Sequence, residues 1–240
     1  MEDLIASFID YLGGEKGYAA NTLDSYGRDL RQYWRFLRER LGHPGPEATR
    51  ETVLAYLQHL ERQGRATATI ARRLAALKAF YQYLVQERVL SRDPTADLET
   101  PKLKKRLPRV LTVREVELLL NQPKPTTPSG LRDKAMLELL YATGIRVSEL
   151  VSLDVSDVDL AGGFLRCVGK GHRERIIPVG SAAVRAVSSY LERARGELLR
   201  DPQETSLFLN QQGRRLTRQG FWKIIKRYAR QVGLDKPITP

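Results

Sequence analysis

The sequence predicts a mainly helical protein with a small β-sheet, built as an N-terminal four-helix domain followed by a C-terminal α+β domain. Three observations carry this. In the first hundred positions apolar residues recur three and four apart, the period of a helix face. A proline-containing basic stretch without an acid follows at 101–110. Beyond it the helical stripes are interrupted by two short strand-like runs, 164–168 and 173–179, on either side of a glycine-flanked lysine.

The elements follow in order. Leu4, Ile5, Phe8, Ile9 and Leu12 make the first stripe. Asn21-Thr22 is expected to cap a second helix with Leu23, Tyr26, Leu30, Tyr33 and Leu37 on one side. A third is expected over 49–63 through Val53, Leu54, Leu57 and Leu60. A fourth is expected over 67–88 through Ile70, Leu74, Leu77, Phe80, Tyr81 and Leu84, stopped by Asp93-Pro94. Four such helices can bury a common core. The second part opens on a capping box, Thr112 to Glu115. A helix is expected over 131–142, ended by Thr143-Gly144, with another beginning near Val147. A helix over 181–195 and a possible strand at Leu207-Phe208-Leu209 follow. Thr217 is expected to cap a last helix running to Gln231, with Phe221, Ile224, Ile225 and Tyr228 buried.

Composition narrows the function. The 240 residues carry 40 Lys+Arg against 28 Asp+Glu, a net charge of +12. A clustered surplus of this size points to a polyanionic partner: nucleic acid, an anionic membrane or an acidic protein. The one cysteine, Cys167, falls inside an expected strand and reads as a small core residue, which excludes an internal disulfide framework and fits a reducing cytoplasm. His43, His59 and His172 are scattered and make no metal signature. No signal peptide is visible, and no apolar run approaches the ~18 residues of a membrane span.

Four places carry candidate chemistry. Arg146 lies at the start of the helix near Val147, where the helix dipole disfavours a cation. Two readings stand open: an ion pair with Glu149, or a phosphate held by the guanidinium fork together with N-terminal amides. Lys170, between glycines at a hairpin tip, is either a solvated surface lysine or a mobile proton donor to a leaving group. The stretch 101–110, with Lys102, Lys104 and Lys105, is either a solvated connector or a cationic strap along a phosphate backbone. Finally, 214–230 holds seven basic residues and no acid. A one-sign helix face is a candidate groove reader, with Thr217, Arg218 and Gln219 at its N-terminus placed for base edges and phosphates.

The segments Ala142-Thr143-Gly144-Ile145-Arg146-Val147-Ser148-Glu149-Leu150 and Gly169-Lys170-Gly171-His172-Arg173-Glu174-Arg175 together resemble the tyrosine recombinase (phage integrase) family, in its Xer group. Asn21 to Leu30, Leu131 to Leu137, Asp93-Pro94 and Thr217 to Trp222 resemble it as well, so the likeness runs through the chain in order.

The resemblance implies a helical core-binding (SAM-like) DNA-binding domain at 1–97, a basic linker at 98–110 and a catalytic domain at 111–240. It implies that DNA is cut by a tyrosine, giving a 3′-phosphotyrosine and a free 5′-hydroxyl, and rejoined without ATP, metal or other cofactor. Arg146 would hold the scissile phosphate, and Lys170 would protonate the 5′-oxygen. The DNA contacts expected are Arg72, Arg73, Lys102, Lys104, Lys105, Thr217, Arg218, Gln219 and Lys223. The family's His-x-x-Arg-His motif and nucleophilic tyrosine are expected beyond Pro240, since no tyrosine here matches the nucleophile; the 240 residues are then catalytically incomplete alone. The implied partners are a duplex recombination site and a related, XerC-like recombinase, in a tetramer on two sites, and the implied role is chromosome-dimer resolution and segregation. The alternatives are a sequence-preferring DNA-binding protein without catalysis and a mobile-element integrase. A basic interaction protein with no nucleic-acid role leaves the paired motifs unexplained.

Overall fold

The computed structural model describes residues 1–42, 46–102, 110–169, 174–234, 236 and 238. The chain divides into two compact units, Met1–Arg106 and Leu107–Pro240. Among the described residues no helix is long and apolar enough to cross a membrane.

The first unit consists of α1 (Glu2–Gly14), α2 (Ala20–Leu41), α3 (Arg50–Arg62) and α4 (Thr67–Gln86). The stripes meet in one core, where Phe8 packs edge-on against Phe80 at 5.4 Å and Tyr33 against Tyr56 at 5.0 Å. α4 is buried on most sides, through Ile70, Leu74, Ala76, Leu77, Phe80, Tyr81 and Leu84, which makes it the central helix. Thr49 caps α3 by accepting from the Thr52 amide at 3.3 Å, while Thr52 Oγ1 accepts from the Thr49 amide at 3.0 Å.

Two helix ends differ from expectation. Asn21-Thr22 does not cap α2; the cap position is Ala19, with no side-chain bond, and Asn21 and Thr22 sit inside the first turn. α4 stops two residues short of the expected Arg88, and Asp93-Pro94 is not what stops it. It ends at Gln86, and Arg88 turns the chain at φ 56° while the Leu84 carbonyl accepts from Val89 and Leu90. Asp93 instead organises a separate turn, its Oδ1 accepting from the Thr95 amide at 2.7 Å and hydroxyl at 2.6 Å.

The second unit contains α5 (Val113–Leu120), α6 (Pro128–Thr143), α7 (Val147–Ser152), a 3₁₀ turn at Val155–Asp157, strands β1 (Val158–Asp159), β2 (Phe164–Val168) and β3 (Glu174–Pro178), α8 (Ser181–Tyr190), α9 (Gly196–Leu198) and α10 (Arg218–Gln231). The strands form one antiparallel sheet in the order β1-β2-β3, with Leu165 opposite both Val158 and Ile177. Leu165 and Cys167 face the core, and Arg166 and Val168 face outward. The two-residue β1 carries no alternation from which to read it.

Leu191–Arg195 winds as a π-helix between α8 and α9, so the helix expected over 181–195 runs further, with a bulge. Leu207-Phe208-Leu209 is buried but joins no ladder strand; only isolated bridges, Asp154 to Ser206 and Leu209 to Arg215, form there. Backbone and side chains share its satisfaction: the Leu207 amide donates to the Leu153 carbonyl and the Leu216 amide to the Phe208 carbonyl, both at 2.9 Å. Arg195 donates to the Glu204 and Ser206 carbonyls, Arg132 Nη1 to the Leu209 carbonyl at 2.8 Å, and the Leu209 amide to Tyr190 Oη at 3.3 Å.

One buried charge joins the two longest helices of this unit. Asp133, on α6, has no exposed surface. Its Oδ1 accepts from Arg132 Nε and Nη2 at 3.0 and 2.7 Å; its Oδ2 accepts from Arg227 Nη2 at 3.0 Å and Tyr228 Oη at 2.9 Å, both on α10. Removing one side of such a pair strands the opposite charge, at about 3–5 kcal/mol. Asp133→Ala is therefore expected to destabilise the second unit by about that amount, measured by denaturant unfolding, with the first unit's transition unmoved.

Candidate active site

Arg146 owes its place to a glycine. α6 ends at Gly144, whose φ of 61° is left-handed and whose amide donates to the Leu140 carbonyl. The chain turns there, buries Ile145 and presents Arg146 as the cap residue of α7. Glu149 then holds Arg146 twice. The Arg146 amide donates to Glu149 Oε2 at 2.8 Å, and Nη1 donates to Oε1 at 3.1 Å.

The ion pair left open by the sequence is thus present, yet it does not consume the guanidinium. The Arg146 side chain is 71% exposed while that of Glu149 is 7% exposed. Arg175, on β3, also donates to Glu149 Oε1 at 2.7 Å, so one buried carboxylate serves two arginines. A net positive charge remains on the cluster, and the remaining Arg146 donors face outward. Burial pushes the Glu149 carboxyl up, but bonds from the Arg146 amide and guanidinium and the charges of Arg175 and Arg146 outweigh it, leaving it below the usual carboxylate value. Burial and the neighbouring Glu149 charge push the Cys167 thiol up, which suits a packed rather than a reactive sulfur.

Arg146 and Arg218 line one cavity of about 500 Å³ with Leu140, Gly144, Ile145, Val147 and Ser148. No carboxylate lines it among the described residues. Thr217 caps α10 by accepting from the Gly220 amide at 3.0 Å, which places Arg218 in the first turn. Thr217, Gln219 and Lys223 are exposed. Two of the seven basic residues at 214–230 are engaged internally: Arg227 with Asp133, and Arg215 with Asp154 at 2.5 Å and the Val151 and Leu153 carbonyls. Lys226 Nζ lies 3.9 Å over the Trp222 ring.

The other candidates are dispersed. Arg72 and Arg73 belong to the first unit. Arg72 is partly exposed and pairs with Asp29; Arg73 is buried at 7% exposure and bonded to Tyr56 Oη, so its guanidinium faces the interior of the helical unit rather than bulk solvent. Lys102 is exposed. Lys104, Lys105 and Lys170 lie outside the described residues.

Asp133 and Arg175 are the residues that sequence reasoning passed over. Each is a charge in an otherwise structural setting, and the available signal was Asp133 inside the apolar run of α6.

A carboxyl held below its unfolded value stabilises the fold above that value and loses this contribution as pH falls through its folded value. For Glu149 the window is therefore acidic, below the ordinary 4.5. Glu149→Gln should flatten the acid limb of the second unit's stability profile below about pH 4.5. Thermal unfolding across that range checks this, and parallel limbs for the two proteins would remove Glu149 from the account.

Comparison with known proteins places the chain in a family. Residues 109–240 match the Phage integrase family, and residues 5–88 match the phage integrase N-terminal SAM-like domain. The chain is 50% identical over 237 residues to the tyrosine recombinase XerD of Halalkalibacterium halodurans, covering 98% of this chain and 79% of that protein. It is 46% identical over 241 residues to the tyrosine recombinase XerC of Herpetosiphon aurantiacus, covering 100% of this chain and 78% of that one. A crystal structure of a lambda integrase dimer bound to a COC′ core site has the same fold, with a TM-score of 0.74 at 18% identity over 98% of this chain and 80% of that one. The exposed Arg146 on its buried glutamate thus stands in the second of two matched domains, and the chain belongs to the phage integrase family of tyrosine recombinases, in its Xer-type branch.

Proposed function

We propose that this chain carries out site-specific recombination of duplex DNA and that Arg146 holds the scissile phosphate. The observation that carries the assignment is a guanidinium anchored at its backbone by a buried carboxylate yet 71% exposed, sharing an acid-free cavity with a second arginine. Such a pair is preorganised for the charge that grows on phosphorus oxygens in transesterification.

In the reaction, a tyrosine oxygen attacks phosphorus and the 5′-oxygen leaves. The phosphodiester becomes a 3′-phosphotyrosine, and the leaving oxygen takes a proton, a role we assign to Lys170 because an ammonium can give one up. Rejoining reverses these steps, so bond energy is conserved. Arg218, in the Arg146 cavity, is assigned to phosphate. Thr217 and Gln219 are assigned to base edges, and Arg72, Lys102, Lys104, Lys105 and Lys223 to the DNA backbone. Bound to DNA, the chain acts in the cytoplasm in a tetramer across two sites, paired with a related XerC-like recombinase in chromosome-dimer resolution and segregation.

DNA binding tests the electrostatic part. Log affinity should fall linearly with log salt, and Arg146→Ala should lower the slope by about 1 while weakening specific and random duplexes alike. Gln219→Ala should weaken the specific duplex more than the random one. Titration of both duplexes at several salt concentrations checks this; salt-insensitive binding would overturn it.

Strand cleavage tests the chemistry and separates recombination from DNA binding without catalysis. In a cleavage-competent recombinase carrying this segment, Arg146→Ala is expected to lower phosphotyrosyl adduct formation on a nicked duplex by ~100-fold or more. Lys170→Ala is expected to lower it by ~100- to ~10,000-fold. Cleavage at the unmutated rate by either variant removes the role given to that residue.

A further inference from the structure

We propose that Arg175 is a positioning residue for Arg146: by taking a share of the buried Glu149 carboxylate, it keeps that acid from closing around the guanidinium that meets phosphate. The inference rests on the phosphate role given to Arg146 above. Arg175 sits on β3 directly opposite Cys167 of β2, so the two side chains lie on the same face of the sheet. Cys167 faces the core. The Arg175 side chain runs past its sulfur, with Nη2 4.0 Å from Sγ, and reaches Glu149 Oε1 at 2.7 Å. The next residue, Ile176, is on the opposite face and is exposed. Strand alternation thus aims Arg175 at the carboxylate that anchors Arg146, 26 positions earlier in the chain.

The Glu149 oxygens are divided among their donors. Oε2 accepts from the Arg146 amide at 2.8 Å; Oε1 accepts from Arg175 Nη2 at 2.7 Å and from Arg146 Nη1 at 3.1 Å. The shorter of the two bonds to Oε1 belongs to Arg175. An arginine and a carboxylate left to themselves favour a bidentate pair, in which both oxygens take the guanidinium fork. Here the Arg146 amide holds one oxygen and Arg175 competes for the other, so a bidentate pair with the Arg146 guanidinium does not form. Charge follows the same division. Two guanidiniums against one carboxylate leave one positive charge on the cluster. The Arg146 side chain is 71% exposed against 47% for Arg175, and Arg146 is the one that lines the cavity with Arg218. Without Arg175 the same carboxylate is balanced by Arg146 alone, and the cluster becomes neutral where phosphate charge must be met.

The test is a double-substitution cycle in a cleavage-competent recombinase carrying this segment, read as the rate of phosphotyrosyl adduct formation at saturating nicked duplex. Arg175→Ala is expected to slow the adduct by about tenfold, the order of one charge-assisted hydrogen bond. Arg175→Lys keeps the charge and a donor for Glu149 Oε1, and should keep most of the rate. The deciding comparison uses Glu149→Gln, whose amide oxygen still accepts from the Arg146 backbone but which has no charge to divide. In that background Arg175→Ala should change the rate by less than about twofold, within the error of additive substitutions. A residue that only held the strand, or that touched phosphate itself, would cost as much in either background. The comparison needs no stable Arg175→Ala protein, because the neutral amide leaves no buried charge stranded. Three results overturn the inference: the unmutated rate from Arg175→Ala, Arg175→Lys as slow as Arg175→Ala, or the full cost persisting beside Glu149→Gln. Arg146→Ala in the same assay separates the two proposals. Cleavage by it at the unmutated rate sinks the phosphate role of Arg146; slowed cleavage by Arg146→Ala with none by Arg175→Ala sinks the role of Arg175 alone.

Discussion

The Asp133 carboxylate is the constraint from which the placement of the cavity shared by Arg146 and Arg218 follows. It has no exposed surface, and donors from both α6 and α10 converge on it. A buried anion is tolerable only when its partners stay in place. That requirement locks α6 against α10. The far end of α6 leads through Gly144 to Arg146, and the first turn of α10 carries Arg218. The cavity those two arginines share is therefore set by packing remote from the cavity itself.

Glu149 solves a local conflict. A cation at a helix N-terminus opposes the dipole, and a carboxylate that engaged the whole guanidinium would leave it no donor for another anion. Burying the carboxylate, tying it to the Arg146 amide and dividing it with Arg175 removes both difficulties. The acid fixes the backbone and partly neutralises the cluster, while the exposed face of the guanidinium keeps donors for a ligand.

Arginine serves two purposes in this chain, and the net charge of +12 does not distinguish them. Arg132, Arg195, Arg215 and Arg227 close gaps between elements by donating to buried carboxylates or to carbonyls that no ladder satisfies. The fork spans several acceptors at once, which suits it to irregular segments such as the one before α10. Basic residues free to meet an anion are consequently fewer than the composition suggests.

What the sequence by itself determined is whatever local chemistry dictates. Apolar period, the Thr112 and Thr217 caps and the left-handed Gly144 set the helices and the position of Arg146. The motif around Arg146 was legible because Glu149 lies one helical turn away, close enough to read as a pair. Tertiary structure decided the rest. It turned Leu207-Phe208-Leu209 into a buried strip held by isolated backbone bonds and side chains, added the two-residue β1 and placed a π-bulge after Tyr190. It also separated arginines that the sequence grouped together, sending Arg73 and Arg227 to internal partners and leaving Arg146 and Arg218 on a shared cavity. The physical reason is range. A cap or stripe acts over one or two turns, whereas Asp133 finds Tyr228 95 positions away, and such a pairing leaves no periodic trace in either segment.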